Sequence, residues 1–327
     1  MIRTRLIWLI FSFALILSCS TQAQTEATGA PTTTETADAL YHSAAKQANA
    51  GDHEAAIASL EQAVRLRPDW PAASYSLCQA YIQVGRISAA VTACQQSITS
   101  NDKYAAAYFT LGKLYIHLGR ASDAVAMLQQ AVSLQPDDAE SYLELGNALT
   151  GEVKYTEAIG AFRRAIELNP KLAEAHNNLG CDYFYLAQYR EAIEAFNRAL
   201  ALNPKLPQAE RNLGLAYDEL GDHRQAVAAL ERAVKLKPDF AEAYFELAYP
   251  LAKLGRQKEA LAACQQAIKL KPDFAEAHQV LGFLYLALRQ KDAALEQYKT
   301  LQRLSADLAG PLFRAIYRDQ IVDVSRR

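Results

Sequence analysis

The sequence predicts an all-α fold: a solenoid of eight helix-turn-helix units, closed by a C-terminal capping helix. Two observations carry that prediction. Pro136, Pro170, Pro204, Pro238 and Pro272 stand 34 residues apart, and Pro68 lies two periods before Pro136, with Asp102 on the skipped mark. A fixed period of this length is the signature of a repeat array. The second observation is the pattern inside the period. Residues 37–308 divide into eight such units, with apolar residues recurring at unit positions 4, 7, 11, 24 and 28 and small ones at 8, 20 and 27. That spacing describes two amphipathic helices per unit.

In chain order, the first element is an export signal. A basic start, MIRTR, precedes the apolar run of residues 6–17. The run is shorter than the roughly 20 residues of a membrane span, and its basic flank and following small residues fit a secretory signal. Two cleavage readings compete. Ile16-Leu17-Ser18-Cys19 resembles a bacterial lipobox, which would make Cys19 the lipidated first residue, placing the protein on a membrane facing the periplasm. Thr21-Gln22-Ala23 would suit an ordinary signal peptidase and give a soluble exported protein. Residues 1–19 are thus read as the signal, and the Thr- and Ala-rich residues 20–36, which lack apolar periodicity, as a flexible tether.

The array follows. Gly85, Gly119, Gly221 and Gly255 fall at unit position 15, in the turn between the two helices, and the proline near position 32 stops the second helix. Asp239-Phe240-Ala241-Glu242 and Asp273-Phe274-Ala275-Glu276 look like capping boxes at helix starts. Pro250, at position 10 of the seventh unit, is expected to bend or loosen its helix. The end units depart from the pattern, with Ser43 and Gln47 in the first and Leu301 and Ala306 in the last, as expected where a unit contacts one neighbour only. Leu312, Phe313, Ile316, Tyr317 and Ile321, in residues 309–327, suggest a capping helix starting near Pro311.

The repeat resembles the tetratricopeptide repeat (TPR) family. Its bulky residue, Leu-Gly, Tyr, Ala, large apolar, Ala and Pro appear in the third unit as Tyr108, Leu111, Gly112, Tyr115, Ala124, Leu128, Ala131 and Pro136. In the fifth they are His176, Leu179, Gly180, Tyr183, Ala192, Phe196, Ala199 and Pro204. The resemblance implies a right-handed superhelical solenoid with a concave groove lined by the first helix of each unit, through positions 2, 5, 9, 12 and 13. Among the residues this places there are Tyr75, Phe109 and Lys113 early in the array and Asn147, Phe184, Tyr185 and Arg211 in the middle. Phe245, Tyr249 and Phe283 follow toward the end. Exposed aromatics with few charges suit a protein-binding groove. Asn147 and Asn178 also match two slots of the clamp with which some family members grip a peptide C-terminus. The cationic slots hold Leu143, Gln208 and Asn212, so that clamp is rejected. Asn178 and Asn212, with Asn147, read instead as an asparagine ladder for an extended peptide backbone.

Little else competes. The sequence shows no phosphate-binding loop, no CxxC and no pair of the six His spaced for one helical face, so no catalytic residue, cofactor or metal is expected. A net charge of −2 without a basic patch argues against nucleic acid, and membrane contact is expected only through the N-terminal lipid. Cys78 and Cys94 oppose each other across one helical hairpin, and two readings stay open: a disulfide, or two buried thiols packing as small apolar residues. Three functional readings follow. The first is a non-enzymatic envelope scaffold binding a protein or extended peptide. The second is an assembly factor resembling TPR lipoproteins that act as pilotins or hold peptidoglycan hydrolases. The third is an enzyme, by analogy with glycosyltransferases that carry TPR arrays, or a regulatory subunit of one; the 19 residues left after the array are too few for a catalytic domain.

Overall fold

The computed structural model describes residues 32–317, in which every regular element is an α-helix. The first unit is α1 (Thr33–Asn49) and α2 (His53–Leu66), the second α3 (Pro71–Gln83) and α4 (Ile87–Ser100), the third α5 (Ala105–His117) and α6 (Ala121–Leu134). The fourth is α7 (Ala139–Gly151) and α8 (Tyr155–Leu168), the fifth α9 (Ala173–Tyr185) and α10 (Tyr189–Leu202), the sixth α11 (Pro207–Glu219) and α12 (His223–Leu236). The seventh is α13 (Ala241–Lys253) and α14 (Gln257–Leu270), the eighth α15 (Ala275–Ala287) and α16 (Lys291–Leu304), and α17 (Ala306–Ile316) closes the array. Each helix packs on its hairpin partner and on the next unit, and successive first helices from α5 to α13 also touch one another. This inner row forms one face of the solenoid.

Three positions account for the regularity. Position 15 ends the first helix in the left-handed region. Glycine supplies it in five units, at φ of 70° to 82°, while Val153, Ala187 and Arg289 adopt φ of 63°, 57° and 58° in the fourth, fifth and eighth. Positions 8 and 24 set how closely the hairpin closes. A Cβ added at Gly112 would lie 2.5 Å from Leu128, one at Gly146 2.5 Å from Phe162 and one at Gly180 2.6 Å from Phe196, so only glycine allows these helices their approach. In the second unit the same two positions are Cys78 and Cys94, and they form a disulfide with Cα atoms 5.3 Å apart. The bridge resolves the two readings left open by spacing: where the other units oppose glycine with a large side chain, two thiols meet at bonding distance.

The ends and caps differ from expectation. α1 starts at Thr33, inside the stretch read as tether. A capping box explains it: Thr32 Oγ1 accepts from Glu35 N at 3.2 Å, and the Glu35 carboxylate accepts from Thr32 N at 2.7 Å. The cap begins at Ala306, not near Pro311, and overlaps the last residues of the eighth unit; Pro311 lies inside α17. Burial of Leu312 and Ile316 under the eighth unit drives this helix despite the missing N–H. The expected Asp239 and Asp273 caps are absent. α13 and α15 are capped by Phe240 and Phe274 without a side-chain bond, leaving both Asp residues one position too early. Asp52, Asp138 and Asp222 do cap α2, α7 and α12 through their carboxylates. α13 runs through Pro250 without interruption, at the same thirteen residues as α15. The signal, Cys19 and most of the tether lie outside the described residues.

Candidate functional site

The inner row is tied together side chain to side chain, and the ties follow two sequence offsets. A residue at position 5 meets position 6 of the next unit, 35 residues on: Tyr41 Oη with Ser76 Oγ at 3.2 Å, Tyr75 Oη with Thr110 Oγ1 at 3.2 Å, and Arg211 Nε donating to Glu246 Oε2 at 2.7 Å. A residue at position 9 meets position 6 of the next unit, 31 residues on. Lys113 Nζ lies 3.3 Å from Glu144 Oε1, Asn178 Nδ2 donates to Asn147 Oδ1 at 2.8 Å, and Asn212 Nδ2 donates to Cys181 Sγ at 3.3 Å.

This register corrects the asparagine ladder. Asn147 stands at position 9, whereas Asn178 and Asn212 stand at position 6, so the three amides do not point one way along the array. Asn147 and Asn178 pair with each other, Asn147 also donating to Glu144 Oε2 at 3.1 Å, and Asn212 pairs with a cysteine. Their bonds join neighbouring helices.

What the middle of the groove offers instead is a pocket. Cys181, Phe184, Tyr185, Phe196, Arg211, Asn212 and Leu215 line a half-open pocket of about 130 Å³ between α9, α10 and α11. Phe184 and Tyr185 close the last turn of α9. Tyr185 is 62% exposed, stacked on Tyr155 with ring centroids 4.9 Å apart, and Phe184 meets Tyr189 edge-on at 5.3 Å. Arg211 forms the far wall, engaged by both carboxylate oxygens of Glu246. Burial raises the Glu246 pKa against the pull of the guanidinium. Burial, with the Asp182 charge added, pushes the Cys181 thiol up to about 12, so it lines the pocket as a neutral, weakly polar group and not as a nucleophile.

The other sequence-predicted residues spread along the row. Tyr75 packs on Tyr104 at 5.3 Å and accepts from Gln79 Nε2 at 3.0 Å. Lys113 lies 5.1 Å over the Phe109 ring and 3.4 Å from Glu140. Phe245 packs on Phe274 at 4.9 Å, while Tyr249 and Phe283 are open to solvent, Tyr249 with Lys253 5.1 Å above its ring. The structure thus brings Phe184, Tyr185, Arg211 and Asn212 together and leaves Tyr75, Phe109, Phe245, Tyr249 and Phe283 as separate contacts.

Two acidic residues escaped the sequence reading. Glu246 stands one unit and one position beyond Arg211, the offset of the Tyr75–Thr110 pair, and its only sequence signal was a charge opposite to that of Arg211. Asp182 gave no such signal, because position 10 elsewhere holds residues such as Ala148, Ala216 and Leu284. Its side chain is fully buried, and the Thr150 hydroxyl lies 3.0 Å from both carboxylate oxygens. Burial raises its pKa to about 6, opposed by the Thr150 hydrogen bond. Among the described residues no group of three His, Cys, Asp or Glu is placed to hold a metal, and no helix is long and apolar enough to cross a membrane.

The comparisons with known proteins agree with this architecture. No curated protein sequence matches the chain. Among solved structures, YrrB, described as a TPR protein with an unusual peptide-binding site, is 25% identical over 59% of this chain and 97% of its own, with a TM-score of 0.50. PilF of Pseudomonas aeruginosa is 23% identical over 65% of this chain and 98% of its own, with a TM-score of 0.57. PilW, a type IV pilus biogenesis factor, is 24% identical over 61% and 92%, with a TM-score of 0.56. Tetratricopeptide repeat models match residues 48–98, 109–173, 173–206 and 211–275, and with these matches spread over the units that the 34-residue ruler marks out, the chain belongs to the tetratricopeptide repeat family.

Proposed function

We propose that this protein is a non-enzymatic scaffold of the bacterial cell envelope that holds an extended segment of a partner protein in the groove of its first helices. The observation that carries the reading is the pocket beneath Phe184 and Tyr185. A pocket of about 130 Å³ takes one aliphatic side chain, and an aromatic pair exposed at its mouth buries large area at low entropic cost. YrrB, with its peptide-binding site, supports a peptide as the ligand class. Of the three asparagines, Asn212 lines the pocket, with its amide held by Cys181. The likeness to PilF and PilW is one of fold, and it does not select a pilus role.

Two features support export. The N-terminal apolar run ending at Cys19 fits a lipoprotein signal, and the Cys78–Cys94 disulfide suits an oxidising compartment. The scaffold reading predicts that a photoreactive side chain replacing Tyr185 crosslinks a partner in native cells, whereas one replacing Gln129, exposed on α6, does not. Adducts from Gln129 alone would overturn the groove reading. For the anchor, Cys19→Ser should release the protein from membranes, and a native mature chain beginning at Gln24 would overturn lipidation.

A further inference from the structure

Charge is unevenly divided between the two helix rows. The first helices of the eight units carry twelve Asp and Glu against four Lys and Arg, while the second helices carry eleven against thirteen. The whole chain is only −2. The acidic surplus therefore belongs to the row that forms the groove.

Part of that surplus has a folding role. Glu140, Glu174, Glu242 and Glu276 lie in the first turns of their helices, where the backbone amides favour a negative charge. That role explains their presence but does not remove their field from the groove. The two cations nearest the pocket are already committed. Lys113 is shared by Glu140 at 3.4 Å and Glu144 at 3.3 Å, and Arg211 is held by Glu246. Lys113 must also serve Glu174, whose pKa is raised by burial and next by the charge of Glu144, with Lys113 lowering it only in third place, so one ammonium faces three carboxylates. On the other flank, Glu242 adds a second carboxylate beside the Arg211–Glu246 pair. The pocket thus sits between two net-negative stretches.

Resting on the peptide-binding reading above, we propose that the groove selects a cationic segment: an aliphatic side chain seats in the Cys181–Asn212 pocket, and adjacent Lys or Arg side chains reach Glu144 and Glu174. An acidic segment would meet carboxylates in excess of their cations on both flanks, and repulsion of this kind discriminates more strongly than attraction adds affinity. The aromatic mouth favours the same sign, because a cation lies well over the faces of Tyr185 and Phe184.

The test is selection of a random dodecapeptide phage library on the full chain, with the sequences of the captured pool as readout. The expected pool is enriched in Lys and Arg over Asp and Glu by at least about threefold at low salt, and the bias fades in about 0.5 M salt, where the Debye length falls to a few ångströms. An E144Q/E174Q chain should lose most of the bias, while E194Q, on the exposed face of α10, should keep it. A pool enriched over that of a folded Phe184→Ala chain but without charge bias, or with an acidic one, overturns the cationic inference and leaves the groove reading standing. No enrichment over the Phe184→Ala chain overturns both.

Discussion

Asp182 offers the sharpest check of the packing argument, because its environment sets both the sign and the size of an effect. The carboxyl is fully buried, has one hydroxyl donor in Thr150, and its pKa is raised from 3.8 to about 6. A raised folded-state pKa means that the folded array disfavours the ionised form. Stability is therefore highest below about pH 4, where Asp182 is protonated in both states, and is lost as pH rises through 6. A shift of about two pKa units corresponds to about 3 kcal/mol at pH 8, and about half of that persists at pH 5. Position 10 is Ala148 and Ala216 in the neighbouring units, so Asp182→Ala fits the local packing and removes the titration. Urea unfolding of both chains from pH 5 to 8 should show the variant more stable at pH 8, with its advantage shrinking by about 1.5 kcal/mol at pH 5. Parallel profiles, or an advantage that grows on acidification, would refute the claim that a buried charge strains the joint between α7 and α9.

Three further outcomes follow from backbone geometry and cross-linking. Val153→Gly should stabilise the array by about 1 kcal/mol, because a β-branched residue at φ 63° pays the left-handed cost that glycine avoids; an unchanged denaturant midpoint would contradict this. Gly146→Ala and Gly160→Ala should act in opposite directions within one hairpin. The first drives a Cβ to 2.5 Å from Phe162 and should cost about 2 kcal/mol net, while the second meets nothing within 4 Å and should gain about 1 kcal/mol of helix propensity, both read by thermal melts. Reducing the Cys78–Cys94 bridge opens a loop of 16 residues and should cost about 3 kcal/mol; four titratable thiols among Cys78, Cys94, Cys181 and Cys264 in unfolded, unreduced protein would show that the bridge is absent.

The period made the fold legible, and its loss at the ends set the limit. Inside the array each helix start is repeated many times, so one misread residue is corrected by its counterparts. At Thr32 and Ala306 there is no counterpart, and local chemistry decides: a capping box at one end, burial of Leu312 at the other. The site was legible to the level of rows but not of partners. Position alone placed Phe184, Tyr185 and Arg211 on the inner face. It did not reveal that position 9 meets position 6 of the next unit, and so it aligned Asn147 with Asn178 when the two are bonded to each other. Partnering across units depends on the stagger of adjacent helices, which a periodic sequence repeats but does not state.

The contact between positions 8 and 24 also explains where the array stops. In units three to six it is glycine beneath Leu128, Phe162, Phe196 or Leu230, and in the seventh Ala248 faces buried Cys264. The eighth unit keeps the glycine, Gly282, but the atom nearest its missing Cβ belongs to Leu312 of α17, at 2.5 Å. Tyr298, at position 24, is half-buried and packs at a tilt on Phe313, with ring centroids 5.4 Å apart. The cap therefore supplies the side chain that the unit's own second helix provides elsewhere. A further unit would have to displace Leu312 before it could stack. In a solenoid whose stability is a sum of unit and neighbour terms, that substitution gives the last unit a partner from α17.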